Sequence, residues 1–288
     1  MTQPRLQFVE GDGVGIWLAL WEGTQPTVLC VHGLTANCRC WDTIAAEIAP
    51  QCTIAAPDLR GRGRSEQPPS GYSIDWHCRD IDAILAELRL DRIALVGHSL
   101  GAMIALTYAV RRPDRVDRLV LIDGAGSLDA EQTQKVFEGI RPALERLGTE
   151  YPNVQSYLNA LRRTPYLQPW TSTLERYFEY ELESTPDGVR CRIRPETIAE
   201  EIENLKGAVP ADLYPQVRCP TLILRATRGM LAADDLVLPP AAARRMTAEI
   251  PDARCVDVSG TNHYSIVLQP NRQRERELLD FLTPSRPS

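Results

Sequence analysis

The sequence predicts an α/β fold: a mostly parallel sheet flanked by helices and interrupted once by an inserted helical segment. Three observations carry this reading. Short apolar runs of strand length alternate with helical patterns, the order from which parallel sheets are built. Those runs are continuously apolar rather than alternating, as in strands covered on both faces. The rhythm then lapses between about residues 124 and 217, a stretch too long for a simple connection inside a compact domain.

In chain order, Arg5–Val9 and Gly15–Trp21 read as an antiparallel opening pair. Thr27–Val31, Cys52–Ala56, Arg92–Val96, Arg118–Ile122, Thr221–Leu224 and Arg254–Val258 supply six further strands, eight in all. Ile74, Ile81, Ile84, Leu85 and Leu88 recur at helical spacing, so Ser73–Arg89 is an amphipathic helix capped by Ser73 or Asp75. Ser99–Arg111 is a second helix, stopped by Pro113. Pro239–Ile250 starts with prolines, which a helix tolerates in its first turn, and Pro270–Leu282 forms a last helix before a proline-containing tail, Thr283–Ser288, expected to fray.

The lapse holds helical patches broken by prolines from Pro142 to Pro210. Seven of the chain's aromatic residues crowd between Tyr151 and Tyr180, so the segment is expected to be a helical cap with its own small core. The expected division is therefore a core of residues 1–123 and 218–288 and an inserted cap, or lid, of residues 124–217.

The chain has 288 residues, 43% hydrophobic and 24% charged, enough to bury a sizeable core, with a net charge of −6. Only Lys135 and Lys206 are lysines, and the arginines are scattered, so no nucleic-acid partner is expected. No apolar run is long enough to span a bilayer, and Met1–Glu10 lacks a charged start followed by an apolar core. The expectation is a cytoplasmic protein without a membrane partner. Eight cysteines lack metal-binding spacing and are expected as free thiols.

The strongest chemical signal is Gly97-His98-Ser99-Leu100-Gly101, between a predicted strand and a predicted helix. A nucleophilic serine must stand on a tight turn, where the flanking glycines avoid Cβ collisions and the helix N-terminus favours a forming oxyanion. As a bare helix cap, Ser99 would need neither glycine. Gly11-Asp12-Gly13-Val14-Gly15 and Gly61-Arg62-Gly63 lack the spacing of dinucleotide loops, and no P-loop or HExxH occurs. No cofactor or metal is implied.

With GHSLG, His32-Gly33 after the third strand, the stretch Asp58–Ser65 and a lone His263 after the last strand run, the chain resembles the α/β-hydrolase family over nearly its whole length. The resemblance implies that the backbone N–H groups of Leu34 and Leu100 form an oxyanion hole and that His263 is the general base. His77 is expected to be packed or on the surface, His32 to brace its loop, and His98 to point away from Ser99. For the acid the resemblance leaves two places open. Asp123 ends the strand after the nucleophile helix, while Asp234 and Asp235 lie on the loop after the next strand; Asp123 is preferred because the later motif is displaced. Arg60, Arg62 and Arg64 are expected to brace their loop, with contact to a substrate carboxylate as the alternative.

The implied activity is a serine hydrolase acting on a small-molecule carboxylic ester, as a carboxylesterase or lactonase, through Ser99, His263 and Asp123. Hydrolysis of a carbon–carbon bond in a diketone-like substrate, perhydrolysis, and a non-catalytic binding protein on the same fold stay open. Trp170 and Tyr166 are the expected pocket aromatics.

Overall fold

Residues 3–283, those described by the computed structural model, place all eight apolar runs in one sheet. The first half of the chain runs β1 (Arg5–Glu10), β2 (Gly15–Trp21), β3 (Thr27–Val31), α1 (Asp42–Ile48), β4 (Thr53–Pro57), α2 (Ile74–Glu87), β5 (Ile93–His98), α3 (Leu100–Arg111) and β6 (Val116–Ile122). The chain then leaves the sheet for α4 (Ala130–Glu145), β7 (Glu150–Tyr151), α5 (Val154–Leu161), α6 (Ser172–Tyr180), β8 (Leu182–Thr185), β9 (Gly188–Cys191) and α7 (Pro195–Leu205). It returns with β10 (Thr221–Ala226), α8 (Pro240–Glu249), β11 (Ala253–Val258), α9 (Ser265–Leu268) and α10 (Arg272–Leu282). The tail expected to fray lies, beyond Thr283, outside the described residues.

The strand order is β1-β2-β4-β3-β5-β6-β10-β11, antiparallel at β1–β2 and β2–β4 and parallel from β4 onward. Side chains of β3 and β5 are buried along their whole length, which is why those runs carry no polar alternation. Two apolar layers result. Trp41, Ile44 and Ile48 pack on one face of the sheet, and Ile81, Leu85, Ile104 and Tyr108 on the other.

Two expectations need correction. The stretch between β6 and β10 is not purely helical, because β7, β9 and β8 form a small antiparallel sheet. These strands are two to four residues long and mostly half-buried, so they carry too little apolar pattern to be recognised. Gly188 makes their hairpin possible: its φ is +151°, and a Cβ there would lie 2.0 Å from the Tyr151 carbonyl oxygen. Pro142, expected to interrupt, lies inside α4 near its C-terminal end.

Buried polar ties join this segment to the sheet's loops. Arg62 pairs with Glu201 of α7 at 2.9 Å, and His77 of α2 bonds the same carboxylate oxygen at 2.8 Å, all fully buried. Burial alone would raise the Glu201 carboxyl, but His77 and Arg62 outweigh it and hold it at about 2. The Tyr180 hydroxyl donates to Asp58 at 2.7 Å, and Asn262 donates to the Tyr166 carbonyl at 3.0 Å. All eight cysteines are free, seven of them buried. Among the described residues no helix is long and apolar enough to cross a membrane.

Candidate active site

β5 ends at His98, and the chain turns at once into α3, leaving Ser99 at φ 57°, ψ −119°. Such a backbone costs a non-glycine residue roughly 1–3 kcal/mol and persists only where its surroundings enforce it. Here the enforcement is steric. A Cβ at Gly97 would lie 2.1 Å from the Gly101 carbonyl oxygen, and one at Gly101 would lie 2.0 Å from that of Val31. The two glycines let strand, turn and helix close on one another, and Ser99 takes the half-buried apex.

Ser99 Oγ lies 3.0 Å from His263 Nε2, and His263 Nδ1 lies 2.8 Å from Asp123 Oδ2. The sequence separates these residues by 164 and 140 positions; the sheet brings them together because β5, β6 and β11, with β10 between the last two, run parallel and end at one edge. Asp123 follows β6 at φ 44°, and its second oxygen accepts the Ala226 N–H at 3.0 Å from the end of β10. With one oxygen engaged by Ala226, the other faces His263. Nδ1–H then donates to Asp123, and the Nε2 lone pair is left for the Ser99 hydroxyl. This arrangement can take a proton from Ser99 and hold the resulting imidazolium.

The competing carboxylates are otherwise engaged. Asp235 accepts the N–H groups of Met230, Leu231 and Ala232 at 2.6, 2.7 and 3.0 Å, closing its own loop. Asp234 pairs on the surface with Lys135 at 2.9 Å. Neither contacts His263 in this structure.

The other histidines separate by role. His32 is buried; its Nε2 accepts the Leu59 N–H at 3.0 Å and its Nδ1–H donates to the Gly33 carbonyl at 2.8 Å, so it braces the loop that carries Leu34. Burial pushes that ring down to about 3, so it stays neutral. His77, left open between core and surface, is fully buried against Glu201. His98 packs against His263, ring centroids 4.6 Å apart and planes tilted by 32°, and its Nε2–H donates to the His263 carbonyl at 2.9 Å. Burial, reinforced by His263, lowers its pKa well below the ordinary histidine value. A neutral ring therefore backs the imidazole without opposing its positive charge. Nothing in the sequence pattern indicated this bracing role.

The Asp58–Ser65 stretch is organised by one carboxylate. Asp58 accepts the N–H groups of Cys38 and Arg64 at 2.7 and 2.9 Å as well as the Tyr180 hydroxyl. Gly63, at φ 52°, sits so close that a Cβ would overlap that carboxylate at 2.1–2.3 Å. Arg60 is held by Asp80 at 2.7 and 2.8 Å, Arg62 by Glu201, and Arg64 lies over the Tyr180 ring. None of the three reaches the cavity at Ser99.

That cavity, about 170 Å³, is bordered by Ser99, His263, Leu34 and Leu100. Leu100 opens α3, where the first N–H groups lack intrahelical acceptors. The inserted segment contributes part of the cavity's walls: Val136, Phe137 and Ile140 of α4, Tyr177 of α6, and Ile202 and Leu205 of α7. No residue bordering it is charged. Trp170 and Tyr166, the expected pocket aromatics, are not among its walls. Trp170 stacks on Phe178 at 5.8 Å, and Tyr166 stacks on Tyr264 at 4.5 Å, one ring removed from the cavity. Tyr264, Tyr177 and Phe137 take that place. Among the described residues no group of three or more His, Cys, Asp or Glu side chains is placed to hold a metal ion.

The family model for the alpha/beta hydrolase fold matches residues 26–270. The chain is 29% identical over 261 residues to 2-(acetamidomethylene)succinate hydrolase of Mesorhizobium japonicum, covering 86% of this chain and 85% of that one. A protein of Mycobacterium tuberculosis is 36% identical over 128 residues, but that match spans 44% of this chain and only 37% of the mycobacterial protein. The crystal structure of E-2-(acetamidomethylene)succinate hydrolase superposes with a TM-score of 0.82 at 23% identity, covering 96% of this chain and 98% of the other.

Proposed function

From the premise that the chain belongs to the alpha/beta hydrolase family, we propose that it is a serine hydrolase cleaving neutral, apolar carboxylic esters through an acyl-enzyme. The observation that carries the reading is the continuous relay from Ser99 Oγ through His263 to Asp123, at 3.0 and 2.8 Å, at the edge of an uncharged cavity.

In this mechanism His263 Nε2 takes the Ser99 proton as Oγ attacks the ester carbonyl. The carbonyl oxygen, now negative, is held by the N–H groups of Leu34 and Leu100; one such donor is worth about 10²–10³ in rate. Asp123 stabilises the imidazolium, which passes its proton to the departing alcohol. Water, deprotonated in turn by His263, then releases the acid and restores Ser99. Residues 124–217 act as the cap that walls the site, a reading supported by the share of the cavity drawn from α4, α6 and α7.

The uncharged walls bear on substrate. The relative from Mesorhizobium japonicum is named for a succinate derivative, a dicarboxylate. Burying carboxylates without a cationic partner is costly, and no Arg or Lys borders this cavity. The reading therefore favours a neutral ester over a dianionic substrate.

The test is labelling with a fluorophosphonate and turnover of a short p-nitrophenyl ester. The expected result is a single adduct on Ser99, turnover by the wild type, and none by Ser99→Ala. An adduct elsewhere would remove Ser99 as the nucleophile, and binding without turnover in a folded protein would replace the enzyme with a ligand-binding protein.

A further inference from the structure

The cavity at Ser99 shares a wall with a larger one. Leu100, Phe137, Ile202 and Leu205 border both. The second cavity, about 620 Å³, runs outward past Met103 of α3 to the turn after α7, where Val209 stands at its rim. Its one charged neighbour, Lys206, is two-thirds exposed and paired with Glu203. Phe137 and Val209 are large apolar side chains left 40% and 48% exposed, and both border this second space. Apolar surface kept open to water around a cavity is typical of a place an apolar ligand covers.

The two spaces divide the halves of an ester. The proton donor to the leaving oxygen is His263, which borders the first cavity and not the second. The carbonyl oxygen is held between the Leu34 and Leu100 N–H groups; Leu34 borders the first cavity and Leu100 both, so the carbonyl lies beside the shared wall, and Met103, three residues on along α3, opens the way into the second. The leaving alcohol thus belongs in the smaller space and the acyl chain in the larger.

We infer that the preferred substrates are esters of extended, unbranched acyl chains with compact alcohols. Phe137, at the shared wall, is the specificity-determining residue that the acyl chain must pass. This rests on Ser99 being the nucleophile, as argued above. An added methylene in an apolar pocket changes specificity by about tenfold or more, so the effect should be large over several carbons.

The experiment measures kcat/KM for p-nitrophenyl esters from acetate to dodecanoate. In parallel it measures labelling rates of methyl and decyl fluorophosphonates. Wild type is compared with Met103→Trp, which fills the second cavity, and Val209→Glu, which places a charge on its exposed rim. The expected result is a preference rising with acyl length in the wild type. Both variants should lower the decanoate-to-acetate ratio by at least about tenfold, with the decyl-to-methyl labelling ratio falling alongside. Phe137→Ala should admit branched acyl chains. A flat acyl profile with Ser99 still labelled, or unchanged ratios in both folded variants, overturns the channel and leaves the serine hydrolase standing. Failure of every ester and of Ser99 labelling removes both.

Discussion

Replacing Asp123 by Asn tests the proposed relay at its most informative point, because the structure dictates how the new amide must sit. One Asp123 oxygen accepts the Ala226 N–H at 3.0 Å and the other faces His263 Nδ1 at 2.8 Å. An amide has one acceptor and one donor end. If its oxygen stays on Ala226, its NH2 donates to Nδ1, which drives the ring proton to Nε2 and removes the lone pair that Ser99 needs. If it flips, NH2 faces the Ala226 N–H, and a buried donor goes unsatisfied at about 1–3 kcal/mol. That penalty depopulates the useful orientation by about 5- to 150-fold. Even there, a neutral oxygen stabilises the imidazolium less than a carboxylate, since charge-assisted hydrogen bonds are roughly twice as strong. Together these terms predict a kcat lower by about 10³–10⁴, the scale of a wrong-tautomer triad. Stopped or steady-state hydrolysis of a p-nitrophenyl ester measures it, with circular dichroism confirming the fold. Asp235→Asn is the comparison: its carboxylate closes a loop of three N–H groups, so Tm should fall while kcat stays within about tenfold. Near-normal turnover by Asp123→Asn, with Asp235→Asn disabled, would refute the reasoning and move the acid to the later loop.

Gly101→Ala should fail to give active protein, because its methyl group meets the Val31 carbonyl at 2.0 Å; soluble, fully active protein would contradict the close packing of elbow and strand. Glu201 is held at about 2, well below the ordinary 4.5, so the stability it supplies is fully present above about pH 4.5 and is lost as pH falls toward 2. Glu201→Gln should lower Tm at pH 7 and flatten the dependence of Tm on pH over that window. Burial raises the thiols of Cys30, Cys38 and Cys40 well above their usual range. Iodoacetamide at pH 8 should therefore reach Cys255, the one partly exposed cysteine, first, and the others only after denaturation; early labelling of Cys40, which borders the Ser99 cavity, would mean that this cavity opens widely in solution.

Most of the sheet was readable because doubly covered strands leave unbroken apolar runs, as Thr27–Val31 and Thr221–Leu224 show. The helix α1 was not read, since Asp42–Ile48 is a single short stretch between a loop and a strand, with too few turns to establish a period. Ser99 and His263 stood out by their place after strands. Asp123 and Asp235 both follow strands too, and what separates them is the 230–232 backbone that claims Asp235, a local closure invisible before the loop is folded. The pocket walls were the least legible part. Val136, Phe137 and Ile140 read as any amphipathic helix face, and which surface they meet depends on how residues 124–217 return to the sheet. The aromatic crowding that pointed to Trp170 and Tyr166 reflects packing: Trp170 stacks on Phe178 inside that segment, and Tyr166 on Tyr264, which joins the segment to the loop after β11.

The strands β6 and β10 lie side by side although roughly a hundred residues separate them along the chain. Chain closure grows only logarithmically with length, about 0.6 kcal/mol per doubling. Compared with a link of about six residues, the long excursion thus costs only about 2–3 kcal/mol more in chain entropy. On chain entropy alone, the excursion can vary in length while β6 and β10 keep their pairing. Among the buried ties, the ion pair sets the sharpest constraint on any graft in its place. Arg62 and His77 stay in the sheet's own loop and helix and both point at Glu201. A replacement segment that brings no carboxylate to that spot strands a buried guanidinium, at about 3–5 kcal/mol. Chimeras of this protein should therefore be selected first for an acid facing Arg62, and only afterwards for the shape of the wall they present to the substrate.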